Sequence, residues 1–329
     1  MPIRYEITNG ALPITVYLKQ GATVIDSNVH AIYEEGEFDV YADDYTLEFV
    51  DSMGCTEDEA VSPDTIIPYE YCVEYGYLYN WYAATDVRNI ANVGFDIPSY
   101  EDGLTLYNYC GGTNDEFFNK LANLGFVTLE GIKQLFIDSG QEVPPDEVIL
   151  SMIEPINANI TNEYNFSFKS SGFRFFGTNL GSTDMGFQSG FWLKEIIQGD
   201  FYARHAYFMP PGMGAGSSVG WTGDHRIGMS IRLVRPATEA ELLLVDGTSC
   251  TPYIGNDGKS YQTVKIGTQV WLAENLAETK YRNGDTIPTV TDNTTWAGLT
   301  TGAKCAYDNT ESYVGYEGLC PTTTTTTSS

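Results

Sequence analysis

From Asn256 to Asp308 the chain reads NDGKSYQTVKIGTQVWLAENLAETKYRNGDTIPTVTDNTTWAGLTTGAKCAYD. A strand-forming run, YQTVKIGTQVW at 261–271, leads it. AENL at 273–276, KYRNGDTIP at 280–288, DNTTWAGLTTGA at 292–303 and CAYDN at 305–309 follow. Three earlier stretches complete the pattern: GYLYNWY at 76–82, GFDIPSYED at 94–102 and GMSIRLVR at 228–235.

These motifs resemble those of the Fibrobacter succinogenes major paralogous domain, a lectin-like module of secreted bacterial and phage proteins. In that family the 256–308 pattern opens the module, and a tyrosine-rich strand, a helix start and a terminal strand come after it. Here those later pieces come first, so the resemblance implies a C-type-lectin-like fold in circularly permuted order. Residues 65–237 would supply the main part, and 238–320 a linker plus the displaced opening segment. That opening segment completes the same domain, completes a neighbour's, or begins a second copy; completion, within the chain or by exchange, is preferred to a second copy, because each half holds what the other lacks. The first and last strands of such a fold run side by side, and neighbouring termini make permutation tolerable.

The rest of the chain is read outward from this module. Residues 1–64 contain ITVYLK, TVIDSNVHAIY and DDYTLEFVDSMGCT, short β-branched and aromatic runs separated by Gly, Asn and Asp turns. TLEFVDSMGCT and ITNGALPITVYLKQG are similar to the ends of immunoglobulin-like repeats of bacterial surface adhesins, which implies an all-β sandwich. The expected fold class is therefore multidomain, an immunoglobulin-like sandwich followed by an α+β lectin-like domain. Residues 321–329, Thr-rich and without large apolar groups, make a tail that cannot form a core.

Within 65–237, YGYLYNWYAATD at 75–86 alternates like a strand. In IPSYEDGLTLYNYCGG, Ser99 can cap a helix, Asp102 suits its first turn, and Leu104, Tyr107 and Cys110 are the expected buried stripe. NDEFFNKLANLG, TLEGIKQLFIDSG and PPDEVILSMIEPI are helix candidates; SGFWLKEI, DFYARHAYFM and IGMSIRLVR are expected strands.

The 329 residues carry 17 Lys and Arg against 44 Asp and Glu, a net charge of −27. That balance argues against nucleic-acid binding, which needs phosphates neutralised, and against anionic membrane surfaces. No apolar run is long enough to cross a bilayer, and the N-terminus lacks the pattern of a secretory signal. Extracellular modules on a chain without an export signal suggest a virion protein released by lysis, with an extracellular or cell-surface location as the alternative.

Chemistry is sparse. The six cysteines form no CxxC pair and the three histidines are scattered, so no zinc site is expected. The six cysteines leave the disulfide pairing open, and a reducing cytoplasm would keep them as thiols. No cofactor is expected; the acidic run EEGEFDVYADD suggests calcium, but it lacks the ligand spacing of a calcium loop. Asp224 and His225 are the one acid–base pair worth weighing. The lectin-like fold also hosts formylglycine-generating enzymes, but their C-terminal cysteines have no counterpart between residues 111 and 249.

Binding is the stronger expectation. In lectin-like adhesins the ligand face lies in loops just before the final strand, which corresponds here to about 187–226. The candidate ligand residues there are Trp192, Tyr202, Arg204, His205, Tyr207, Trp221, Asp224 and His225. Trp and Tyr offer flat faces, and Arg, Asp and His directional hydrogen bonds. The expected role is a non-enzymatic phage surface protein, a head fibre, decoration or tail-associated adhesin, attaching to host glycan or protein. Its partners would be virion proteins and the host surface, in a homo-oligomer; a purely structural virion component is the alternative.

Overall fold

A computed structural model describes the backbone of seven strands within residues 2–69, the side chain of Val16 among them, and residues 75–311 with Val314. Residues 124, 177–181, 198–201, 213–215 and 312–313 lie outside this description, as do 315–329 with the Thr-rich tail. The described residues are mixed α/β with sheet predominant, and the chain separates into two compact units.

In the first unit, β1 (Pro2–Ile7), β2 (Ile14–Gln20), β3 (Thr23–His30), β4 (Glu35–Asp39), β5 (Tyr45–Val50), β6 (Thr56–Val61) and β7 (Ile66–Tyr69) make two sheets. One has the order β4-β1-β7 and the other β3-β2-β5-β6. The three predicted strand runs are all present. Because β7 pairs in parallel with β1, this unit continues past residue 64, and the second opens at Tyr75.

The second unit begins with β8 (Leu78–Tyr79), which is much shorter than the run 75–86 suggested. Asn80 ends it. Its buried amide oxygen accepts from Ala83 N–H at 3.0 Å and from Ala303 N–H at 2.9 Å, which starts α1 (Trp81–Ala84). α2 (Tyr100–Tyr109) carries the expected cap in full: Asp102 N–H donates to Ser99 Oγ, and Ser99 N–H to the Asp102 carboxylate. Its buried positions, however, are Gly103, Leu106 and Cys110, not Leu104 and Tyr107. Gly103 decides this rotation, because a Cβ there would lie 2.7 Å from Val219. α3 (Asn114–Leu121), α4 (Leu129–Asp138) and α5 (Asp146–Asn157) match the three helix candidates.

β9 (Ser171–Arg174), β10 (Ser182–Met185), β11 (Ser189–Ile197), β12 (Tyr202–Phe208) and β13 (Ser218–Asp224) form a sheet ordered β10-β9-β11-β12-β13. The run 227–235 yields only β14 (Val234–Pro236). Gly228, Met229 and Ser230 instead bridge singly to Arg174, Tyr79 and Phe191, changing partner at each residue, so no continuous ladder forms.

The remaining elements are β15 (Tyr253–Ile254), β16 (Ser260–Tyr261), β17 (Thr263–Ile266), β18 (Gln269–Leu272), α6 (Asn293–Ala297) and β19 (Lys304–Cys305). β18 lies between β14 and β17, and β19 pairs with β8, so 256–308 shares strand ladders with 78–79 and 234–236. The Trp271 ring packs against Phe166 and Phe191 at 5.8 and 6.0 Å in the main core. Two fully buried arginines cross the same boundary. Arg232 donates to the carbonyls of Phe166, Ser167 and Leu272 and to Asn275 Oδ1. Arg174 donates to the carbonyls of Val290 and Thr291 and the side chains of Asn293 and Asn309. A buried cation needs hydrogen-bond partners, and here neutral oxygens supply them, although Arg174 Nε has none among the described residues.

Candidate functional site

The eight candidate residues sit on β11, β12, β13 and the turn after them. Strand alternation divides them. Tyr202, Arg204, Ala206 and Phe208 occupy one face of β12; Ala203, His205 and Tyr207 occupy the other. Ala206 and Phe208 belong to the main core under the helices, so Tyr202 and Arg204 prolong that face outward.

On the opposite face Trp192 has no exposed surface and donates from its indole N–H to Tyr79 O at 2.8 Å. His205 is 6% exposed, lies edge-on to Trp192 at 6.0 Å and to Tyr207 at 6.3 Å, and its Nδ1 has no hydrogen-bond partner among the described residues. Burial pulls its pKa down to about 3, so the imidazole is neutral. A Cβ at Gly190 would stand 2.7 Å from the Ala206 carbonyl oxygen and 3.1 Å from the Phe173 ring, so glycine there keeps β11 close to β12. Tyr207 is half-buried between Phe173 and Trp221, at 5.9 and 5.5 Å, and donates to Gln188 Oε1. Trp221 keeps 42% of its surface in solvent.

The core-side face ends differently. Tyr202 is 51% exposed, and the Arg204 guanidinium lies over the Tyr100 ring at 3.9 Å. Gly220 makes this approach possible: its φ is +97°, and a Cβ there would stand 2.7 Å from Tyr100 and 3.0 Å from Arg204. Glu195, nearby, accepts from the Tyr100 N–H at 2.7 Å.

Asp224 and His225 are committed to the turn itself. Both Asp224 oxygens accept from Arg226, at 2.8 Å each; burial pushes that carboxyl up, but the Arg226 bonds outweigh it and hold it below the usual range. His225 is buried, stacked on Trp81 at 4.4 Å and edge-on to Tyr82 at 5.4 Å. The structure therefore divides the exposed candidates between the two faces of β12 and β13, with Tyr202 and Arg204 on the core-side face and Tyr207 and Trp221 together on the other. Trp192, His205 and His225 are buried.

Tyr100 is the member sequence reasoning missed. Its position at the start of a capped helix was legible, but its pairing with Arg204 was not, because the two lie on elements far apart in the chain. A groove lined by Asp102, Thr105, Pro236, Leu242 and Gln269 runs between α2 and β18, and none of the eight residues lines it.

Among the described residues no group of three His, Cys, Asp or Glu side chains is placed to hold a metal ion, and no helix is long and apolar enough to cross a membrane. Cys110, Cys250 and Cys305 are free thiols. The profile of the Fibrobacter succinogenes major domain matches residues 41–235 and 264–319. The chain belongs to this family. The Fibrobacter succinogenes major domain match takes in β5–β7, the helices, the five-stranded sheet and the β18–β19 segment, and omits 236–263, which joins β14 to β17. No curated protein and no solved structure matches the chain.

Proposed function

We propose that this chain is a non-enzymatic virion surface protein that attaches to a host-surface glycan or protein through exposed side chains of β12 and β13. The observation that carries the reading is Trp221. A large indole held 42% in solvent, braced by Tyr207 on the edge strand of a sheet, is the kind of flat apolar surface that stacks on sugar rings or anchors an interface. Tyr202, 51% exposed, offers a separate flat ring on the other face of the same strand pair.

The fuller reading has an immunoglobulin-like N-terminal domain and a lectin-like domain in permuted order. The β14–β18 and β8–β19 pairings, with the two arginine clamps, support completion of one domain by 256–308. Engagement of Asp224 by Arg226 leaves that carboxylate occupied, which favours binding over proton transfer at the turn.

One feature favours a structural virion component instead. The segment after β14 exposes Leu243 at 88% and Val245 at 79%, beside the partly exposed Leu242 and Leu244, an apolar strip suited to a protein neighbour. The test is adsorption of purified protein to host cells and to a glycan array, comparing wild type with Trp221→Ala. Attachment predicts binding that the substitution cuts about tenfold or more. Absence of any cell or glycan binding by a folded protein would remove the attachment reading.

A further inference from the structure

We propose that Arg204, with Tyr100 and Tyr202, forms a site for a carboxylate-bearing saccharide on the core-side face of β12; this rests on the attachment reading above. The sequence holds eight arginines, and seven have described side chains. Arg88, Arg226 and Arg235 pair with carboxylates. Arg174, Arg232 and Arg282 donate to carbonyl and amide oxygens. Arg204 alone among the described arginines has neither, although Asp and Glu outnumber Lys and Arg by 44 to 17.

Its geometry explains what the group is free to do. Tyr100 occupies one flat face of the guanidinium, which fixes its plane, while the five N–H donors lie along the edge. A planar edge of this kind matches a carboxylate through two parallel hydrogen bonds. Glu195, the carboxylate at the same helix start, is occupied by the Tyr100 N–H and makes no ion pair with Arg204 among the described residues. Gly220 keeps the stack intact, since any side chain there would strike both rings of contact. Tyr202, two residues before Arg204 and on the same face, is half exposed and offers a sugar ring a flat partner next to the fork. The saccharide carboxylate would lie against the Arg204 edge with its ring on Tyr202.

The experiment is a glycan array spanning neutral, uronic-acid, sialylated and sulfated saccharides, probed with the full chain and with Arg204→Gln and Arg204→Lys. The expected result is retention of carboxylated saccharides, weakened about tenfold or more by Arg204→Gln and only partly restored by Arg204→Lys, which keeps the charge without the fork. Unchanged melting curves would show that both variants fold. Binding confined to neutral or sulfated saccharides, or insensitive to Arg204→Gln, overturns this site and leaves the attachment reading standing. Silence across the array also overturns it, and host-cell adsorption by the same preparation then decides attachment separately.

Discussion

Replacing Arg232 with Met tests whether 256–308 is an integral part of the fold around 75–237. The substitution removes four donated bonds, at 2.6–2.9 Å, and leaves the oxygens of Phe166, Ser167, Leu272 and Asn275 without that donor. Each unpaired buried acceptor costs about 1–3 kcal/mol, while release of a buried cation returns several of those kcal/mol. Set against each other, the four unpaired neutral acceptors and the returned solvation leave a net expected loss of about 3–5 kcal/mol. For a unit of this size that lowers Tm by roughly 6–20 °C. Calorimetry of the full chain measures the shift, and hydrogen exchange assigns it. Protection of the Leu272 and Leu276 amides, which donate to Leu233 and Ile231, should fall together with that of 166–168. A shift below about 2 °C, or exchange that changes in 268–278 alone, would refute the claim that Arg232 couples the two segments.

Three further outcomes are expected. The Arg235 fork and the Thr238 donors hold the Glu241 carboxyl far below its ordinary value of 4.5, so its stabilisation is complete above that value and is lost as pH falls below it. Glu241→Gln should therefore flatten the acid side of the stability–pH curve, and chemical denaturation between about pH 2 and 6 measures it. His205, with its pKa lowered to about 3 by burial, should show no imidazole titration between about pH 5 and 8 by NMR. Because the unfolded histidine takes up a proton near 6.5 and the folded one does not, its presence should make stability fall as pH drops below 6.5. Gly220→Ala combines a φ of +97° with contacts of 2.7 and 3.0 Å to Tyr100 and Arg204, and should cost about 1–3 kcal/mol in urea unfolding.

What the sequence determined by itself was local. The Ser99–Asp102 cap and the helices at 114–121, 129–138 and 146–157 depend on residues within a few positions of one another, whereas YQTVKIGTQVW, read as one strand, turns back at Gly267 to form the β17–β18 hairpin. The order of the family's motifs was legible on the same terms, as strings of residues. Tertiary packing decided the rest. Gly103 and Leu106 are the buried positions of α2 because it must meet Val219 of a distant strand, while Tyr107 packs on the same core only part-buried, against Phe117. Trp192 and Trp221 are the same residue type on the two strands that flank β12, yet the first is fully buried and the second 42% exposed. Alternation fixes only which side of its strand each indole takes. Whether that side is covered depends on Tyr79 and the 227–230 segment reaching Trp192 and stopping short of the edge strand. The Arg204–Tyr100 stack has the same origin. It joins one helix start to one strand through a glycine that only the folded chain brings between them.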